Sequence, residues 1–302
     1  MTQDVSAESV ADAESSSKDA VFWPVGRPFR RRRRKRRLWL HVALFLATVA
    51  STSLMRSPLY SLCVMSILTA HEFGHYFAAR YYGVPASLPF FIPSPFMFGT
   101  MGAIIRMSPL IPNRKALFDI SAAGPLAGVV LAIPISFVGI AMSERVPLAG
   151  LEADSGPVTI TLGDTLLFQA FERLLLGAPR DDMVLMLNDV AFAGWVGVFV
   201  TALNLLPVGQ LDGGHVSHAV FGRYSGIVAW AGFGAMAVVC ILVSPQFLLI
   251  LLLVFLSGIR HRPTLDDAIP LGLARRRVAI VLLVVFAVCF TPTPISIEPF
   301  GD

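Results

Sequence analysis

Charge is scarce in this sequence. Asp, Glu, Lys and Arg make up 15% of its 302 residues, where a soluble domain carries about 25%. That shortage, with 55% hydrophobic residues and a mean hydropathy of +0.69, excludes an ordinary soluble domain and reads as a polytopic membrane protein. Cysteine is scarce too. Cys63, Cys240 and Cys289 lie singly in apolar runs, so no disulfide framework and no CxxC pair is available, and they read as small core hydrophobes. Positive charge is sparse outside one cluster. Arg27 and Arg30 to Arg37 hold nine of the 24 basic residues, and the remaining 15 are outnumbered by 20 acidic ones. A general nucleic-acid surface is excluded by that distribution, and no nucleic-acid partner is expected.

What is present divides the chain into a tail, residues 1–37, a membrane domain, 38–290, and a short C-terminal tail, 291–302. The first 26 residues are rich in Ser, Ala, Asp and Glu and lack an apolar period, so they read as a disordered leader. Asp4, Glu8, Asp12, Glu14 and Asp19 argue against an organelle transit peptide, and no signal-peptide cleavage site is visible. The polybasic run abuts the first apolar segment, Leu38 to about Met55. Such a run stays in the cytoplasm and attracts anionic lipid head groups. The N-terminus is therefore expected in the cytoplasm, and the location is expected to be a bacterial inner membrane.

The first span then leaves the cytoplasm and turns at Arg56-Ser57-Pro58, and a second, Tyr60 to Tyr82, returns with Arg80 at its cytoplasmic end. Residues 83 to 116 are apolar but carry Pro85, Pro89, Pro93, Pro95, Pro109 and Pro112, a density unsuited to a helix. Irregular backbone at membrane depth survives only inside protein or beside a wet cavity. A re-entrant loop or β-hairpin is predicted there, with a strand within Gly99 to Met107; an interfacial loop is the alternative. Further apolar runs cover Leu117 to Met142, Leu187 to Val208, Gly226 to Val243, Gln246 to Ile259 and Val278 to Phe290, the last one short. The fold class is an all-α polytopic membrane protein of about six to seven transmembrane helices. The acidic interval 143–187 suits the outer side, with an amphipathic helix near Thr165 to Leu176, and is too short for an inserted globular domain. Gly124 and Gly128, beside Ala123 and Ala127, allow a close helix neighbour, expected to be the second span.

Within the second span stands His71-Glu72-Phe73-Gly74-His75. Histidines four apart share one helix face and can bind one Zn²⁺, and the intervening glutamate can act on water at the metal. Ionisable groups in a membrane-length apolar segment mark function by default. A second polar cluster, Asn204 to His215, interrupts a later span at Pro207. Beside the histidine pair, Asp212 on that broken helix reads as a third ligand, leaving a fourth position open. Asp119 either orients a ligating histidine or only caps a helix. His215 is expected to continue into a loop. His41, His218 and His261 have no partner at ligand spacing and read as surface or interface residues.

The two clusters, with Asn113 to Gly128 between them, resemble the site-2 protease family of intramembrane zinc metalloproteases. The branch without a peptide-binding domain, found in plastids and cyanobacteria, is the nearest in kind. The resemblance runs from about Leu38 to Gly222. It implies zinc on His71, His75 and Asp212, Glu72 as general base, and Asn204 as a contact for the substrate backbone or oxyanion. It also implies transmembrane proteins as substrates. Gly102, Ala103 and Ile104, on the expected strand, are candidates for pairing with an unwound substrate segment. Where many members have a further proline, this chain has Gly209. A membrane zinc transporter or other non-proteolytic zinc-binding protein is the rival reading, since it needs the ligands but not Glu72. A catalytically dead regulator is a second rival, without its expected signature of a lost ligand or base.

Overall fold

The computed structural model describes residues 38–96, 98–147, 158–178, 182–259, 261 and 263–299. The tail with its polybasic run lies outside them. The chain is mostly helical. Helices α1 (Leu38–Met55) and α2 (Pro58–Tyr81) lead into a hairpin, β1 (Phe90–Pro93) and β2 (Thr100–Ile104). Then follow α3 (Arg114–Ala141), β3 (Glu144–Pro147), β4 (Val158–Leu162), α4 (Leu166–Leu176), β5 (Met183–Met186) and α5 (Asp189–Asn204). The remainder is α6 (Asp212–Phe221), α7 (Ser225–Leu242), α8 (Leu248–Ser257), α9 (Leu273–Cys289) and β6 (Ile295–Pro299). Three helical stretches, Leu38–Met55, Arg114–Ala141 and the α6–α7 stretch Asp212–Leu242, are long and apolar enough to cross a membrane, and α5 and the Pro245–Ser257 stretch are shorter apolar helices. The chain is an integral membrane protein.

Helix boundaries follow the polar residues. Ser57, Asn113, Thr165 and Asn188 each accept a backbone N–H from the first turn of α2, α3, α4 and α5, and Pro58 opens α2 at a position where its missing N–H costs nothing. The expected span from Leu117 begins earlier, at Arg114, because the Asn113 cap sets its start. The last helix likewise extends back through Arg275, Arg276 and Arg277.

Helices α2, α3 and α5 form the centre. A Cβ on Gly74 would strike the carbonyl of Ala123, and one on Gly194 would press on Ser136. Small residues therefore set both crossings, and the expected α2–α3 partnership is observed. Around them pack Tyr60, Phe192, Trp195 and Phe199, all buried, with Trp195 stacked on Phe199 at 5.2 Å. At one end of this core Arg56 and Ser57, in the α1–α2 turn, bond the carboxylate of Asp189 at the start of α5. The polar interval gathers at the same end. There β3 pairs with β5, and Arg145 binds Glu172 and the carbonyls of Leu176, Gly177 and Ala178 behind α4. The strand β6, from the expected C-terminal tail, pairs antiparallel with β4.

From that end α2 runs 13 residues to His71 and α5 runs 15 to Asn204, about 20 and 22 Å along two helices. The two functional clusters therefore meet at one depth. The hairpin is antiparallel, Phe90 opposite Ile104 and Phe91 opposite Ala103. It is tied to α1 by Ser51 Oγ to the Gly99 carbonyl (2.6 Å), by His41 Nδ1 to the Pro89 carbonyl (3.0 Å) and by Phe45 against Phe91. The predicted hairpin forms. His41 is an interface residue, one of the two expectations for it, and part of the hairpin's support.

Candidate metal centre

His71 and His75 project from one face of α2 against α3, and both are buried. Their Nε2 atoms lie 3.2 Å apart. Asp212, the first residue of α6, brings Oδ2 to 3.2 Å from His75 Nε2 and 3.3 Å from His71 Nε2. A tetrahedral zinc with bonds near 2.0–2.1 Å holds its donors about 3.3 Å apart, so the three separations fit that ion. Two neutral imidazoles and a carboxylate are also the donor types zinc takes.

Each donor is held from behind. The backbone carbonyl of Ile120 accepts a hydrogen bond from His75 Nδ1 at 2.8 Å, which leaves the Nε2 lone pair for the metal. The sequence offered Asp119 for such a role, but its carboxylate instead accepts from Arg275, at 2.8 and 2.6 Å, and from the Tyr82 hydroxyl. It ties α3 to α9, and the carbonyl one residue on does the orienting. Gly124 and Gly128 lie flat against the two rings. A Cβ at Gly124 would collide with the His75 ring, and one at Gly128 would come within 3.2 Å of His71 Nδ1.

Asp212 is placed by a turn of unusual tightness. Gly209 has φ +58°, a conformation a proline cannot adopt, and its N–H bonds the Ile259 carbonyl at 3.0 Å. A Cβ on Gly213 or Gly214 would drive into the backbone of Leu205–Gly209. The chain therefore folds back on itself and starts α6 with a carboxylate at its N-terminus, where the helix dipole favours negative charge. At the other end of α6, Arg114 donates to the Ala219 carbonyl at 2.9 and 2.6 Å and to Val220 at 3.0 Å. Thus α3 supports the histidines at its middle and the aspartate helix at its start.

The donors open onto a cavity of about 190 Å³ that Glu72, Ala103, Ile104, Asn204 and His215 also line. Asn204 Nδ2 stands 3.3 Å from His71 Nε2. Of the expected strand residues, Ala103 and Ile104 face the cavity, whereas Gly102 sits just outside it, at φ +91° with its N–H on Thr100 Oγ1. His215 was expected in a loop but is on α6 and in the cavity wall. His218 is buried, and His261 packs between it and His215, so of the two expectations, surface or interface, the packed one describes both.

Residues 59–244 match peptidase family M50. The chain is 33% identical over 243 residues to "Probable zinc metalloprotease EGY1, chloroplastic" of Oryza sativa subsp. japonica, covering 79% of this chain and 41% of that protein. It is 31% identical over 234 residues to the Arabidopsis thaliana protein of the same description, covering 76% and 42%. A third relative, "Probable zinc metalloprotease EGY2, chloroplastic" of Oryza sativa subsp. indica, is 30% identical over 215 residues, 70% and 38%. The chain thus spans about two fifths of the length of these curated relatives. No solved structure matches it significantly. With the family match covering most of the chain and both halves of the donor set inside it, this protein belongs to peptidase family M50.

Proposed function

We propose that the chain is an intramembrane zinc metalloprotease that hydrolyses peptide bonds within or beside the transmembrane helices of other membrane proteins. One observation carries the reading. His71, Glu72, His75, Asn204 and Asp212 converge on a single cavity between apolar helices. His71, His75 and Asp212 would hold zinc. When bound, zinc supplies a Lewis acid that makes water acidic enough to lose its proton near neutral pH. Glu72 accepts that proton and returns it to the leaving nitrogen. The Asn204 amide donates toward the substrate carbonyl oxygen as negative charge grows there.

A helical substrate hides its carbonyls in its own hydrogen bonds and has to unwind before attack. Among the described residues β2 pairs only with β1. Its second edge, at Gly102, Ala103 and Ile104, is available to pair with the unwound strand. In the membrane, α1, α2, α3, α5, the α6–α7 stretch, α8 and α9 would give seven crossings of unequal length. Residues 1–37 would form the cytoplasmic tail, its polybasic run meeting anionic lipid, 38–290 the protease unit, and 291–302 a short C-terminal segment, in a bacterial inner membrane.

The test compares peptide termini in host membranes carrying the intact chain or Glu72→Gln. New termini inside transmembrane segments only with the intact chain, and zinc content equal in the two, support the proposal. A general base is worth about 10²–10⁴-fold in rate, so residual cleavage should fall by that range. Equal termini across stress conditions, with both proteins zinc-loaded, would favour a zinc transporter or another non-proteolytic zinc-binding protein.

A further inference from the structure

The metal centre is buried, with His71 4% and His75 6% exposed. A dication stripped of water in such surroundings loses far more solvation than a monovalent side chain does, unless ligands replace it. The ion therefore needs stepping stones, and the fold supplies a row of them. Asp212, His215 and His218 recur every third residue on α6, so each stands one turn from the next. His261, from the segment between α8 and α9, packs between the two histidines. Its ring centroid is 4.6 Å from that of His215 and 4.7 Å from that of His218. His218 Nε2 lies 3.5 Å from Asp267 Oδ2, and the Asp267 side chain is 37% exposed. Burial works against ionisation of Asp267, but hydrogen bonds from Thr264 and the neighbouring His218 hold its pKa below the usual range.

We infer that Asp267, His218, His261 and His215 form a loading route that passes zinc from the aqueous edge to His71, His75 and Asp212. The row begins at an ionised, solvent-reaching carboxylate and ends on a histidine in the wall of the metal cavity. His215 Nδ1 is buried with no hydrogen-bond partner. An orphaned buried nitrogen is unfavourable, and a passing ion would satisfy it. Among the described residues only His71, His75 and Asp212 gather three donors close enough to share an ion. The outer histidines are therefore no second cage. They offer ligands in sequence, which suits transit and not storage.

This inference rests on the proposed zinc centre, and its test separates the two. The full chain in detergent is stripped with a chelator and mixed with Co²⁺, whose visible absorption reports binding at the centre. His218→Ala/His261→Ala is compared with the wild type, and His218→Gln/His261→Gln serves as the size-conserving pair. A route changes a barrier and not an equilibrium. The final spectrum and the affinity should therefore stay within about twofold, while loading, and release to chelator, both slow about tenfold or more, equivalent to ~1.4 kcal/mol on the barrier. Loading within twofold of the wild type in both variants would overturn the route. So would an affinity that falls in step with the rate, because that marks general damage. A wild type that acquires no absorption would overturn the zinc centre itself.

Discussion

At the residue scale, the centre depends as much on what is absent as on its donors. His75 can lie against α3 only because Gly124 has no side chain. Gly124→Ala should push the ring off the Ile120 carbonyl and weaken zinc binding by about 100-fold, the upper end for disturbed ligand support. Gly128→Ala, which needs His71 to give by a few tenths of an ångström, should cost about tenfold. Competition with a chelator measures both. The donors were legible because their spacing is local: two histidines four apart, and a carboxylate beside a helix-breaking proline and glycines. Their support was not. The Ile120 carbonyl is main chain, which no residue identity announces. Asp119 meets Arg275 across 156 positions, and His218 meets His261 only after the fold is made.

At the element scale, helices were readable from apolar runs and caps. The run from Leu38 to Met55 and the amphipathic stretch after Thr165 form at the expected places. The hairpin was readable in kind, as a non-helical segment with a strand within Gly99 to Met107, but not in its register. Its register depends on α1, which holds Gly99 and Pro89 from outside, and no pattern within 83–116 encodes that. If β2 receives substrate on its free edge, a proline scan over 103–107 should lower cleavage at alternate positions, since backbone N–H groups of a strand point to either side in turn. Zinc content should remain unchanged. Cleavage rates and bound zinc for each variant decide it, and uniform tolerance would remove the strand from substrate binding.

At the scale of the whole molecule, the donor set joins α2 to α6 while α3 braces both. Zinc should therefore stabilise the assembled bundle and not only one helix. With free zinc 100-fold above its dissociation constant, the folded state gains about 2.7 kcal/mol. Chelation should lower the melting temperature, and Asp212→Asn should shrink that difference, both readable by thermal unfolding in detergent with and without zinc. The seven proposed crossings could not be counted from hydropathy alone. The donors themselves dilute the apolar character of α2, and α5, with 12 of its 16 residues buried, is shorter than a bilayer-spanning helix.

The separation of the donors along the chain has a consequence for biosynthesis. His75 and Asp212 are 137 positions apart, and a ribosome adds about 5–20 residues per second. For some ten seconds the nascent chain holds both histidines and Glu72 in the membrane without the carboxylate that completes the donor set. Under the proposed function, hydrolytic competence would arrive only after the later helices have inserted and α6 has docked. A half-made copy would then spare its neighbours, and the timing is written into the order of the elements.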